Sequence, residues 1–284
     1  MKIVRFLGGL GNQMFQYAFY RALINRFDHV NADISGYKDY FLHNGLELEN
    51  IFDISLNKAS SFYVKLYDTS NRQWYLRKIR RILGLKQAYK EEQKPFQFDA
   101  GIFSYAGPAL YWGYWQHEDY FVDIEQQIRM AFRFKKPLDQ INTAVLESIQ
   151  KSNSVSIHIR RGDYLIDPVL GGLCTLNYYQ TAIEVIASRV NQPEFFIFSD
   201  DINWCKTNIK TGYPTAFISG NGGTNSYIDM QLMSNCQHNI IANSSFSWWA
   251  AWLNDNPGKI IIGPKKWTNS KEPNQILPAT WIKI

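Results

Sequence analysis

The sequence predicts an α/β protein whose parallel sheets form two doubly wound domains, and three observations carry that expectation. Strand-like and helix-like segments alternate along much of the chain. A strand, a glycine turn and a helix follow one another at the N-terminus, and a second alternating series opens near residue 150. With 284 residues the chain is long for one domain and comfortable for two of modest size, because domains usually run to roughly 100–150 residues.

Taken in order, residues 2–7 read as a short buried strand and 8–11 as a tight turn. Residues 12–27 read as a helix with Phe15, Ala18, Phe19, Ala22 and Leu23 on one face. Residues 30–105 are less periodic. Residues 110–115 are strand-like, and 120–132 set Phe121, Ile124, Ile128, Ala131 and Phe132 at helical spacing before Lys135, Lys136 and Pro137 end the helix. A helix over 141–150, with Ile141, Val145 and Ile149 aligned, leads into the second series. Its strands are expected at 155–159, 194–199, 238–242 and 259–263, and its helices at 227–234 and 246–254. The polar stretch 150–154 separates the series, so the expected domains are 1–150 and 151–284; no Pro/Gly-rich linker marks the border.

Composition narrows the function classes. Hydrophobic residues make up 45% and charged ones 19%, which is the balance of a folded chain. Nine Trp, seventeen Tyr and eighteen Phe suit carbohydrate ligands, whose C–H faces stack on flat rings, and suit a core equally well. The net charge of +5 draws on a cluster at Arg77, Lys78, Arg80, Arg81, Lys86, Lys90 and Lys94. That segment, 77–94, fits peripheral contact with anionic lipid or a phosphorylated donor, and reads otherwise as a solvated amphipathic helix. No nucleic-acid-binding motif accompanies it. Cys174, Cys205 and Cys236 form no CxxC pair, which argues against a disulfide framework or zinc cage and suits a reducing compartment. Glycines interrupt the apolar start of the chain, and eighteen uncharged apolar residues never run together. A cytoplasmic protein, peripheral at most to the inner face of the membrane, is expected.

The chemistry concentrates at SVSIHIRRGDY, residues 154–164. Val155, Ile157 and Ile159 alternate as a strand, so His158, Arg160 and Arg161 emerge at its carboxyl end, where open α/β sheets bind ligands. An arginine offers a forked, permanent cation suited to phosphate, and Gly162 permits close backbone approach. Pairing of Arg160 or Arg161 with Asp163 is the structural alternative. GGLGNQ at 8–13 follows a strand and opens a helix, the context of a phosphate-binding turn that would use Gly9 and Gly11. It departs from the dinucleotide fingerprint, because Met14 stands at the third glycine position. There is no P-loop signature and no Asp-x-Asp, and the single Asp-x-Glu, at Asp123 and Glu125, falls within an amphipathic pattern. No metal and no cofactor is therefore expected, and if a diphosphate leaves here, arginine and helix N-termini must stabilise it. Ser244, Ser245 and Phe246 sit at such a helix start, where a serine serves equally as an N-cap.

GGLGNQMFQYA at 8–18, GYWQ with YF at 113–121, HIRRGDY at 158–164, FSDD at 198–201, and DMQLMSNC with IIANSSFSWWAAWL at 229–253 together resemble the bacterial α-1,2-fucosyltransferases, in that family's order and over most of the chain. The resemblance implies a GT-B fold of two Rossmann-like domains facing a cleft, the first on the acceptor side and the second binding GDP-fucose. It implies inverting, metal-independent transfer of L-fucose from GDP-β-L-fucose to the 2-hydroxyl of a terminal β-galactoside, in assembly of an O-antigen or capsule.

By the same resemblance, Arg160 contacts the β-phosphate and stabilises the charge that grows as the fucose–oxygen bond breaks. His158 faces the donor, Asp229 accepts from guanine N–H groups, and Ser244, Ser245 and Phe246 hold the diphosphate. Asn12 lies near the reacting centre. Asp163 is either general base or orienter of an arginine. Tyr114, Trp115, His117 and Glu118 are acceptor-binding candidates, with core packing the alternative for the aromatic pair. Two further readings stay open: a fucosyltransferase of another linkage or deoxysugar donor, and a non-catalytic sugar-nucleotide or glycan-binding protein.

Overall fold

A computed structural model of the chain describes residues 1–38, 44–271 and 273–284. The chain divides into two compact units, Met1–Lys135 and Lys136–Ile284.

In the first unit β1 (Lys2–Arg5) runs into α1 (Leu10–Ile24), then β2 (Val30–Asp33), α2 (Leu48–Ile51), α3 (Ser61–Tyr67), α4 (Trp74–Ile82), β3 (Tyr89–Glu91), α5 (Gly101–Ser104), β4 (Ala109–Trp112) and α6 (Glu125–Ala131). The four strands are parallel, in the order β2-β1-β4-β3. Ile3 and Val4 point to opposite faces and both are fully buried, because helices cover a parallel sheet on each side. Where the sequence suggested one apolar face for α1, the structure buries Met14, Tyr17 and Tyr20 as well as Phe15, Phe19 and Leu23. This helix is interior.

Two parts of this unit differ from expectation. Residues 118–124 form two short 3-10 turns ahead of α6, so the single long helix expected there is only its last two turns. The weakly patterned stretch 30–105 contains β2, four short α-helices and β3, elements too brief to establish a period. Residues 39–43 of that stretch lie outside the described residues.

The second unit runs α7 (Gln140–Lys151), β5 (Asn153–Ile159), α8 (Leu176–Ala187), β6 (Pro193–Ser199), α9 (Ile202–Asn208), β7 (Thr215–Ile218), α10 (Tyr227–Ser234), β8 (His238–Ile240), α11 (Ser245–Leu253), β9 (Ile261–Gly263) and β10 (Ile282–Lys283). Its boundary precedes α7, not residue 150 as the sequence suggested. The reason is packing: α7 leads directly into β5, and Asn142 on α7 exchanges amide hydrogen bonds with Asn221 at 3.0 and 2.9 Å. Lys135, on the other side, is tied to the first unit by its N–H to the Ile51 carbonyl.

All six strands of the second sheet are parallel, in the order β10-β9-β8-β5-β6-β7. Counted from β5, this is the 3-2-1-4-5-6 order of a doubly wound nucleotide-binding sheet, and the winding reverses between β5 and β8. Its core gathers Ile157, Ile159, Ile183, Phe195, Ile197 and Ile240. Cys174, Cys205 and Cys236 are all free thiols.

Candidate active site

The carboxyl ends of β5 and β8 flank the reversal point, and the two sequence motifs leave the sheet there. Strand β5 delivers His158 and then Arg160; β8 leads to Asn243, Ser244 and the start of α11. An open sheet binds ligands at this position because neighbouring connections depart to opposite faces and leave a crevice between them.

Arg160 is 31% exposed and held by two carboxylates: Nη2 lies 2.7 Å from Asp163 Oδ1 and Nη1 3.0 Å from Asp200 Oδ2. Asp200 was not singled out by the sequence, although it stands in FSDD. Its other oxygen accepts the Arg161 backbone N–H at 2.9 Å, so it fixes both the arginine side chain and the turn that carries it. Gly162 is required here for space: a Cβ would fall 2.7 Å from Asp200 Oδ2. Asp201 caps α9 through the Trp204 N–H and accepts from Arg161 Nε at 3.2 Å. The Arg161 guanidinium lies 3.8 Å from the centre of the Trp204 ring. Both arginines are partly exposed, Arg160 somewhat more at 31% against 23%, and Arg161 is the one stacked on an aromatic ring.

His158 is 7% exposed and its ring lies 5.7 Å from that of Phe246. Burial, with Arg160 nearby, lowers its pKa to about 3. The imidazole is therefore neutral at working pH, and Nδ1 has no hydrogen-bond partner among the described residues. Contact with the donor would be made by a neutral ring, not by a cation.

Ser244 occupies the N-cap position of α11, yet its side chain makes no capping bond, and the first turn contains no acidic residue. The positive end of this helix thus keeps its attraction for an anion. Asn243 sets the turn by donating to the carbonyls of Leu170 at 2.9 Å and Trp267 at 3.1 Å, and the Tyr164 hydroxyl donates to the Asn243 carbonyl at 3.2 Å. Neither was read from the sequence, since an asparagine that pins loops distant in the chain has no local signature.

Asp229 lies in the first turn of α10, where Asn221 Nδ2 donates to its Oδ1 at 2.8 Å. Burial raises its pKa to about 7, with the Asn221 bond working against that rise. Asn221 is itself locked by the amide pair with Asn142, so a chain of side chains running back to α7 orients the carboxylate.

The remaining candidates belong to the first unit. Gly8, with φ of +81°, makes the turn after β1; Gly9 is the N-cap of α1, and Gly11 is already in its first turn. Asn12 Oδ1 accepts from Gln116 Nε2 at 2.7 Å, joining the first turn of α1 to the loop that follows β4. Gln16 joins the loops that follow β1 and β4, accepting from the Leu7 N–H and donating to the Gly113 carbonyl, each at 3.0 Å. Trp115 is withdrawn from the acceptor set, because it is 1% exposed and stacks on Phe19 with centroids 4.4 Å apart. Its positive φ of 56° is supported by Glu92, whose Oε2 accepts the Tyr114 and Trp115 N–H groups. His117 is buried and accepts the Asp119 N–H through Nδ1, while Tyr114 and Glu118 are half-buried.

The described residues contain no group of three or more His, Cys, Asp or Glu side chains placed to hold a metal ion. Among the same residues no helix is long and apolar enough to cross a membrane.

A doubly wound sheet with a forked cation and an uncapped helix at its reversal point, preceded by a second parallel-sheet unit, defines a glycosyltransferase of the GT-B type. The chain belongs to glycosyl transferase family 11, whose model matches residues 1–284. It is 36% identical over 300 residues to an alpha-1,2-colitosyltransferase of Escherichia coli, covering 99% of this chain and 98% of that one. It is 30% identical over 302 residues to the O-antigen biosynthesis glycosyltransferase WbnK of E. coli, covering 98% of each. Galactoside alpha-(1,2)-fucosyltransferase 2 of Rattus norvegicus is 26% identical over 265 residues, 89% of this chain and 67% of that one. A NodZ alpha-1,6-fucosyltransferase co-crystallised with GDP shares the fold, with a TM-score of 0.50, 15% identity, and coverage of 88% of this chain and 91% of that one.

Proposed function

We propose that this enzyme transfers L-fucose, with inversion, from GDP-β-L-fucose to the 2-hydroxyl of a terminal β-galactoside during surface-glycan synthesis. The observation that carries the reading is the position of Arg160. It is a partly exposed guanidinium at the reversal point of a nucleotide-binding sheet, fixed by Asp163 and Asp200. A diphosphate leaving group gains negative charge as the sugar–oxygen bond breaks, and a cation fixed beforehand stabilises that charge without reorganising.

In this reading the first-turn N–H groups of α11 share the diphosphate charge, and ionised Asp229 accepts from guanine N1–H and N2–H₂. Neutral His158 and Phe246 line the donor. The first unit presents the acceptor, with Asn12 and Gln116 at the carboxyl ends of its strands. Asp163, already 2.7 Å from Arg160, acts as its orienter, and no metal takes part. The reaction is assigned to the cytoplasm at the inner face of the membrane, with contact through the basic segment 77–94.

One observation favours a second reading of the donor. The E. coli relative, 36% identical over 99% of this chain, is named for colitose, which is L-fucose lacking the 3-hydroxyl. The experiment is a comparison of GDP-fucose with its 3-deoxy counterpart on a panel of β-galactosides, with product mass and linkage determined. Fucosylation at the 2-position supports the first reading, turnover of the 3-deoxy donor alone replaces it with the second, and no product from either donor overturns both.

A further inference from the structure

Six of the large apolar or aromatic side chains that face solvent belong to one stretch of the first unit: Phe62, Tyr63, Trp74, Tyr75, Ile82 and Leu83. Trp74 is 76% and Ile82 72% exposed. The same stretch is strongly cationic. Residues 58–90 contain nine Lys or Arg and a single acid, Asp68, which is taken up by Arg5.

The structure separates the working cations from the structural ones. Arg80 is buried and donates to the carbonyls of Leu76, Asp68 and Asn71. Lys90 lies 3.9 Å from the centre of the Tyr105 ring. Both are spent inside the fold. On α4 the buried face is Leu76 and Arg80, one turn apart. The opposite face bears Trp74, Lys78, Arg81 and Ile82, with Arg77 at its margin, all exposed.

We propose that this outward face of α4 docks on an anionic lipid bilayer, with Trp74 and Ile82 entering the headgroup layer while Arg77, Lys78 and Arg81 lie against lipid phosphates. Cations alone fit any polyanion, and apolar side chains alone fit a protein groove. The interleaving of both on one helical face is the chemistry of a membrane interface, where tryptophan finds an environment part wet and part apolar. A nucleic acid would give Ile82 and Leu83 nothing to bury. The proposal refines the contact region given above and is independent of the identity of donor and acceptor.

The test is co-sedimentation of the whole protein with vesicles of phosphatidylglycerol and phosphatidylcholine, against pure phosphatidylcholine, at low and high salt. Wild type is expected to bind the anionic vesicles at least about tenfold more tightly, with the difference shrinking in salt. Two double variants, Trp74→Ser with Ile82→Ser and Lys78→Glu with Arg81→Glu, should each weaken binding by about tenfold or more and leave the thermal unfolding profile and turnover of a soluble acceptor unchanged, which verifies that both units fold. Absence of wild-type binding to anionic vesicles overturns the proposal. So does undiminished binding by the Trp74/Ile82 variant, which would mark a general polyanion site, and heparin would then bind both proteins alike.

Discussion

Arg160 Nη1 stands 3.0 Å from Asp200 Oδ2, so the arginine that follows β5 is braced by the residue that follows β6. Ile159 and Ser199 are register partners in the sheet, and their successors, Arg160 and Asp200, leave it side by side. Asp163, from Arg160's own loop, completes the brace.

Replacing Arg160 by lysine keeps the charge and loses the fork, because an ammonium is a compact charge on a flexible stem and cannot reproduce the planar, bidentate geometry of the guanidinium. The expected loss in kcat is about 10²–10³-fold, the scale of removing one charge-stabilising donor. Near wild-type turnover by steady-state assay of GDP release would mean that the leaving charge is stabilised elsewhere.

Asp163 and Asp200 should not matter equally. The Asp163 side chain is 57% exposed and that of Asp200 25%, so solvent screens the first pair more strongly. Asp200→Asn is expected to reduce both GDP affinity and kcat more than Asp163→Asn does. The contrary result, Asp163→Asn with intact GDP affinity and kcat reduced by about 10²-fold, would make Asp163 the general base.

On the function proposed above, Asp229 should give the donor site a pH dependence whose sign follows from its burial. Its pKa is raised by burial to about 7, and only the ionised form accepts two guanine donors, so GDP-fucose affinity should rise by about tenfold between pH 6 and pH 8. His158, neutral throughout that range, adds nothing. Asp229→Asn should bind GDP-fucose weakly, without this slope and with less preference over ADP. Stability moves the other way. The native state holds a proton that the unfolded chain releases, so Asp229 costs stability as pH rises from about 4 to 7, and the asparagine variant should melt higher at pH 8. Calorimetry of both proteins with and without ligand checks the two signs.

Transfer should survive a strong chelator, since the charge on the leaving diphosphate is assigned to Arg160 and the α11 N-terminus. Loss of activity in EDTA that added divalent metal restores would overturn this arginine-centred account.

Much of the second unit was legible because its long strands carry β-branched and aromatic patterns, Val155, Ile157 and Ile159 alternating in β5 and Phe195 to Phe198 running together in β6; the helix at 227–234 and the strand ending at Ser199 stand where periodicity put them. The first unit was harder to read. Its short elements between Val30 and Ser104 are held by tertiary bonds such as the Glu47 N–H to Gln13 Oε1, which leave no periodic trace. At the site, residues inside motifs were visible and their supports were not. Asp200, Gln116, Asn221 and Asn243 act across 39 to 104 residues of chain, and contacts of that kind are invisible to spacing. Trp115 misled for the opposite reason, since an aromatic beside a loop reads the same whether it faces a sugar or Phe19.

Strand β5 is where the two halves of the second sheet meet, pairing β6 on one side and β8 on the other. Parallel pairing closes long loops before any contact rewards them, so this unit completes its folding only when both halves have docked on the strand that leads to Arg160. On the function proposed above, yield and catalysis are therefore coupled in one short segment. Libraries that diversify residues 153–159 will be depleted by aggregation and proteolysis before selection on turnover begins. New donor preferences are better sought in the connections after β6 and β8, at positions other than Asp200, Asp201 and Asn243, whose bonds hold the site together.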